Sequence, residues 1–100
     1  MQITIESPHI DISIRLRRQI KRKLEALNKI YERIITCDII LRQQSSYNQN
    51  RFNIEAKLSV PKGSLFAKER AENFSIALAR LSDNIKRQLI KHKEKMEEIR

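Results

Sequence analysis

NFSIALARLSDNIKRQLIKHKEKMEEIR, residues 73–100, is the stretch on which the reading of this chain turns. Phe74, Leu78, Leu81, Ile85, Leu89, His92 and Met96 recur at steps of three and four, the spacing that keeps side chains on one helical face. At 100° per residue these seven fall within roughly an 80° arc. Arg80, Arg87 and Lys91 gather on one flank of the stripe, Lys86 and Lys93 on the other. The pattern predicts a long helix that buries its stripe against a sheet and shows a ridge of cations to a large polyanion. Folded RNA is the polyanion this ridge fits best.

One hundred residues suggest a single domain over 1–100, with one modest two-layer core and too little chain for a large enclosed active site. The chain is 40% apolar and 33% charged, with a mean hydropathy of −0.57. One Gly and two Pro leave most residues to regular elements with short connections. The net charge of +9 and the pI near 10.1 favour anionic partners: nucleic acid, an acidic membrane surface or an acidic protein. The charge is local. Residues 15–29 and 80–95 hold 13 of the 21 Lys and Arg, and their only acids are Glu25, Asp83 and Glu94. A lone Cys37 excludes an internal disulfide or a multi-cysteine metal site and reads as a small buried hydrophobe. No apolar run approaches 18 residues and the N-terminus has no signal-like segment, so a soluble, cytoplasmic protein with no membrane contact is expected.

Working back from the last helix, Met1–Glu6 alternates Ile3 and Ile5 with polar residues, a short half-buried strand. Ser7, Pro8 and His9 end it. Ser13 or Asp11 suits a helix N-cap, and Leu16, Ile20, Leu24, Leu27 and Tyr31 mark a first amphipathic helix. Its outer side carries Arg18, Arg22 and Lys29, with Arg17 and Lys21 on a shoulder. Ile34–Gln43 reads as a strand with Ile35, Cys37, Ile39 and Leu41 facing the helices. Gln44–Asn50 reads as a hairpin loop. Phe52, Ile54, Ala56, Leu58 and Val60 give a clean period of two for a third strand. Pro61-Lys62-Gly63 is a tight turn in which Pro presets φ and Gly accepts a positive φ. Ser64–Arg70 completes the strands, with Leu65 and Ala67 inward and Phe66 and Lys68 outward. The order β-α-β-β-β-α implies an α+β two-layer sandwich: a four-stranded sheet with both helices on one face and its last three strands in an antiparallel meander. Met96–Arg100 is expected to fray.

The chemistry the residues support is binding. Surface helices usually mix charge signs, and these are one-sided. Lys and Arg displace condensed counterions from a nucleic acid, and Arg adds a bidentate fork for phosphate oxygens. The exposed positions are cations rather than Asn and Gln readers of base edges, which points to backbone and shape recognition. Phe52 and Phe74 read as core and Tyr31 as core edge. Phe66 and Tyr47 are too scattered for a stacking platform. Neither His9 nor His92 has a second ligand at coordinating spacing, and no nucleophile–base grouping or glycine-rich phosphate loop occurs. No metal, cofactor, small-molecule substrate or enzymatic activity is expected.

Three stretches carry a resemblance. The first is the opening Met-Gln-Ile-Thr-Ile with the helix segment Lys23-Leu24-Glu25-Ala26-Leu27-Asn28-Lys29. The second is Pro61-Lys62-Gly63-Ser64-Leu65-Phe66-Ala67, and the third Arg87-Gln88-Leu89-Ile90-Lys91-His92-Lys93-Glu94-Lys95. Together and in this order, over nearly the whole chain, they resemble the ribosome hibernation-promoting factor family, also called ribosome-associated inhibitors or ribosomal subunit interface proteins. The third stretch is very like that family's Arg-Gln-Leu-x-Lys-His-Lys-x-Lys. The resemblance implies a layout like that of double-stranded RNA-binding domains. It also implies a factor that blocks translation in idle ribosomes by occupying the messenger and transfer RNA channel of the small subunit, with basic helices against ribosomal RNA. By position, Lys23, Lys29, Arg87, Lys91, Lys93 and Lys95 match family cations, and helix geometry adds Arg18, Arg22, Arg80 and Lys86. Two positions depart from the pattern: Ser75 stands where the family usually has Tyr, and Asn84 where it often has Lys. Long members add a ribosome-pairing domain, and a chain of this length looks like a short form, expected to be monomeric. The rival expectation is a general double-stranded RNA-binding module that treats short duplexes and ribosomes alike. A third is a cationic surface for acidic proteins.

Overall fold

The computed structural model describes residues 1–44 and 51–98. Its elements run β1 (Gln2–Glu6), α1 (Ile14–Ile30), β2 (Thr36–Gln43), β3 (Phe52–Val60), β4 (Gly63–Ala71) and α2 (Phe74–Glu98). Each helix starts where a short polar side chain can replace a missing backbone partner. Ser13 Oγ accepts from the Leu16 N–H at 3.0 Å, and Asn73 Oδ1 accepts from the Ile76 N–H at 2.8 Å. Ser13, not Asp11, is thus the cap of α1. That helix ends when Tyr31 turns extended, its N–H still bonded to Leu27 O at 3.1 Å.

The sheet order is β1-β2-β3-β4. β1 lies parallel to β2, so the chain must cross over between them, and α1 is that crossover. β2, β3 and β4 form the expected antiparallel meander. α2 lies across β3 and β4 and against α1. The core fills the space between: Ile20, Leu24 and Leu27 of α1; Cys37, Ile39 and Leu41 of β2; Ile54, Ala56 and Leu58 of β3; Ala67 of β4; and Leu78, Leu81, Ile85 and Leu89 of α2. Phe52 and Phe74 close one end of it edge to face, with ring centroids 5.0 Å apart. Burial pushes the Cys37 thiol up to about 12, with the neighbouring Asp38 carboxylate as a smaller cause. It stays a neutral, packed thiol.

Two local expectations are corrected. Ile35 does not face the helices; it is 56% exposed, and Ile34 enters the core instead. β2 begins only at Thr36. Ile35, just before it, keeps backbone bonds to both neighbours, donating from its N–H to Ser59 O at 2.8 Å and accepting at its O from the Gln2 N–H at 3.1 Å, yet its side chain does not follow the alternation of the strand. In the β3–β4 turn the left-handed residue is Lys62, with φ of 66°, not Gly63. Val60 pairs with Gly63, so Gly63 already belongs to β4 and the connection is Pro61-Lys62 alone. Pro at the first central position with positive φ at the second is the type II pattern, and here Lys62 takes that second position. Of the loop expected over Gln44–Asn50, residues 45–50 lie outside the described residues, as do 99 and 100; of the end expected to fray, Met96 to Glu98 are helical. At the loop's base, the Gln44 N–H bonds to Arg51 O at 2.8 Å.

Candidate nucleic-acid interface

The two helices run in the same direction. Near their starts Ser75 Oγ donates to Gln19 Oε1 at 3.4 Å, and near their ends Lys93 Nζ donates to Ile30 O at 3.2 Å. Their outer faces therefore lie side by side as one surface. All ten cations expected from the sequence are exposed on it: Arg18, Arg22, Lys23 and Lys29 on α1, and Arg80, Lys86, Arg87, Lys91, Lys93 and Lys95 on α2. Among the described residues none of the ten lies within 4 Å of a carboxylate; the ion pair found is Lys68–Glu55 at 3.6 Å, on the sheet. Arg15, Arg17 and Lys21 are exposed on α1 as well and extend the same surface. Between the helix ends is a hollow of about 330 Å³ of mixed charge, lined by Lys29, Arg33 and Lys93 and by Glu32 and Glu97.

Two of the ten have a second task that sequence alone does not reveal. Lys93 donates to Ile30 O, one of the free carbonyls at the end of α1, where a cation also suits the helix dipole. Arg80 Nη1 donates to Arg70 O at 3.1 Å on the free edge of β4. Gln88 does the same about two turns further along, from Nε2 to Phe66 O at 2.8 Å, while also donating to Asn84 Oδ1 at 2.8 Å. These α2 side chains occupy edge carbonyls of β4 that another strand could otherwise pair with. Asn84, the position without the family's Lys, is thus part of the edge cover. Ser75, the position without the family's Tyr, meets α1 through Gln19. His92 is half-buried with its ring edge-on to Tyr31, centroids 5.8 Å apart. Tyr47, named above as a scattered aromatic, lies outside the described residues, and Phe66 is 57% exposed.

Among the described residues no three His, Cys, Asp or Glu side chains come together to hold a metal, and no helix is long and apolar enough to cross a membrane. The surface can do one thing well: offer many unneutralised Lys and Arg donors, on rigid helices, to a densely charged anion.

The chain is an α+β sandwich with exposed cations along both of its helices. Comparison with known proteins narrows the class. The chain belongs to the family described as Sigma 54 modulation protein / S30EA ribosomal protein, whose family model matches residues 3–97. A ribosome hibernation promoting factor of Azotobacter vinelandii is 32% identical over 95 residues, covering 95% of this chain and 85% of that protein. One from Pseudomonas putida is 28% identical over 99 residues, covering 99% and 93%. The fold matches that of a ribosomal subunit interface protein from Coxiella burnetii with a TM-score of 0.81 at 22% identity, over 94% of this chain and 99% of the other.

Proposed function

We propose that this protein is a ribosome hibernation factor that inhibits translation by occupying the messenger and transfer RNA channel of the small subunit. It acts by occlusion, without chemistry, as one monomeric binding unit spanning residues 1–100 in the cytoplasm. The contacts are made by Arg18, Arg22, Lys23 and Lys29 of α1 and by Arg80, Lys86, Arg87, Lys91, Lys93 and Lys95 of α2, against ribosomal RNA phosphates. The observation that carries this reading is the helical layer itself: ten exposed cations, none with a carboxylate partner among the described residues, in a member of this family. Unpaired cations lose little on meeting phosphate, because no internal ion pair has to break, and each displaces condensed counterions.

Co-sedimentation with isolated small subunits across a salt series, beside a short RNA duplex as competitor, tests it. Binding that fades with salt yet resists excess duplex is the expected result. Equal competition by the duplex would instead make the protein a general double-stranded RNA-binding module. Binding that survives nuclease treatment of the target would point to an acidic protein partner and overturn the reading.

A further inference from the structure

The face of the sheet turned away from the helices ends in a row that the helical reading leaves unused. Arg42 of β2 pairs with Asn53 of β3, and Asn53 pairs with Arg70 of β4. Strand residues alternate, and the partners of the buried Leu41 and Ile54 face the core, so all three members of this row project to the open side. Strand spacing puts the two arginine backbones about 10 Å apart, with the asparagine between them. Both arginines are exposed, and neither is within 4 Å of a carboxylate among the described residues.

Asn53 is the unusual member. It is only 4% exposed, and its Oδ1 is buried with no hydrogen-bond partner. Carboxamide oxygen and nitrogen exchange places by a half-turn of the side chain, so the unfilled position can be presented as an acceptor or as an N–H donor. Buried polar groups are almost always satisfied, and one that is not leaves a hydrogen-bonding position open to a further partner; Asn28, Tyr31 and His92 each carry another such atom, but none of them stands between two unpaired arginines. Asn53 and Arg42 also line a groove of about 360 Å³, together with His9, Glu55 and Lys68. That volume accepts a phosphate with its attached sugar. The one carboxylate in the groove, Glu55, is held by Lys68 at 3.6 Å. Its charge is thereby offset, and Arg42 sets the sign of the groove, with Arg70 beside it as the register partner of Asn53 rather than as part of its lining.

We propose that this row is a phosphate-binding site, separate from the helical layer, in which Arg42 and Arg70 clamp the anion and the Asn53 amide donates to it between them. The ligand is a phosphate ester, supplied either by an RNA backbone reaching the far face of the sheet or by a free nucleotide. Two guanidinium forks, from the strands on either side of β3, suit the several oxygens of one phosphate. The site goes beyond the ribosome reading and does not depend on it, because the helical cations lie on the opposite layer.

Nuclear magnetic resonance of the full chain, labelled with ¹⁵N, tests the site directly. Inorganic phosphate, then AMP, then a six-nucleotide single-stranded RNA are titrated at constant ionic strength. The Arg42 and Arg70 Nε–H and Asn53 side-chain N–H₂ signals are expected to shift together and saturably. The R42Q/R70Q variant should weaken that response about tenfold or more, with its melting temperature measured alongside to establish that it is folded. The helical variant R87A/K91A/K93A should leave it unchanged, which separates this site from the ribosome contact. Tighter binding of AMP than of the RNA per phosphate supports the site and makes its ligand a free nucleotide; the reverse supports it and makes the ligand RNA backbone. Signals that stay still while those of the helical cations move would overturn the proposal. So would a response that sodium chloride reproduces, or one that R42Q/R70Q retains.

Discussion

The helical layer and the open face of the sheet are both solvent surfaces of one small basic protein, yet they handle charge in opposite ways. On the helices, thirteen Lys and Arg lie within residues 15–29 and 80–95 against three acids, and among the described residues none is paired. On the open sheet face, strand alternation brings four cations, Arg42, Lys57, Lys68 and Arg70, among three acids, Glu6, Asp38 and Glu55. There the signs meet across strands, except at the end row of Arg42 and Arg70, whose register partner is Asn53. Glu55 and Lys68 are register partners and form an ion pair; Asp38 and Lys57 are partners too, and Asp38 also accepts from Thr4 Oγ1 at 2.5 Å. Cross-strand pairing of opposite charges is ordinary sheet stabilisation. The contrast teaches that the net charge of +9 says little by itself; what marks a binding surface is charge left without an internal partner.

The largest effect should come from the packing that holds both faces in place. Leu81 is 1% exposed at the centre of the α2 stripe. Leu81→Ala removes buried methyl groups and leaves a cavity, at a cost of about 2–5 kcal/mol. A thermal melt should fall accordingly, and one that does not move would mean that α2 is not anchored to the sheet through this stripe. Next comes the ridge. Replacing Arg87, Lys91 and Lys93 together by Ala removes three exposed cations and, of tertiary bonds, only the exposed one from Lys93 to Ile30 O, so folding should be nearly unaffected. Small-subunit binding should weaken about a hundredfold, at roughly 1 kcal/mol per phosphate contact. The slope of log affinity against log salt should lose about two to three units. Unchanged binding at moderate salt would remove the ridge as the contact surface.

The paired lysines of the sheet face should respond far less to the same operation. Lys57→Ala or Lys68→Ala deletes a cation just as the ridge variants do, but from a partnered, exposed position. Stability should change by less than about 1 kcal/mol, the range of surface ion pairs, and subunit binding should stay within about twofold. A loss as large as that of the ridge variant would erase the distinction between the two faces.

How much of this was readable in advance depends on how local each feature is. The α2 stripe was legible because helical period is written in consecutive residues: all seven of its members are buried or half-buried. Ala77, fully buried beside them, was not legible, since a methyl group marks no period. The ten cations were legible as exposed for the same reason. Their second tasks were not, because the Arg80 and Lys93 bonds to Arg70 O and Ile30 O join residues set together only by tertiary packing. The Arg42–Asn53–Arg70 row was invisible for a stronger reason. It exists only once the register of three strands is fixed, and a one-residue slip would send each side chain to the other face.

The β3–β4 turn offers the smallest effect and a clear sign. Reading Pro61-Lys62-Gly63 by composition gave the left-handed position to the glycine, whereas the geometry gives it to Lys62. The two assignments predict opposite results. If Lys62 holds the positive φ, Lys62→Gly relieves a strain of about 1–2 kcal/mol and adds an unfolded-state entropy cost of about 0.5–1 kcal/mol. A net gain near 0.5 kcal/mol is expected, raising the melting temperature by roughly 2–4 °C. Gly63→Ala should also be tolerated or slightly stabilising: its φ is not positive and an added Cβ would meet nothing within 4 Å. Were Gly63 the left-handed residue, Gly63→Ala would instead lower the melting temperature. Lys62→Gly carries one further reading, because it also deletes an exposed cation outside the helical layer. Subunit binding that survives this loss while stability rises would show that the position of a cation, rather than the total of +9, sets affinity.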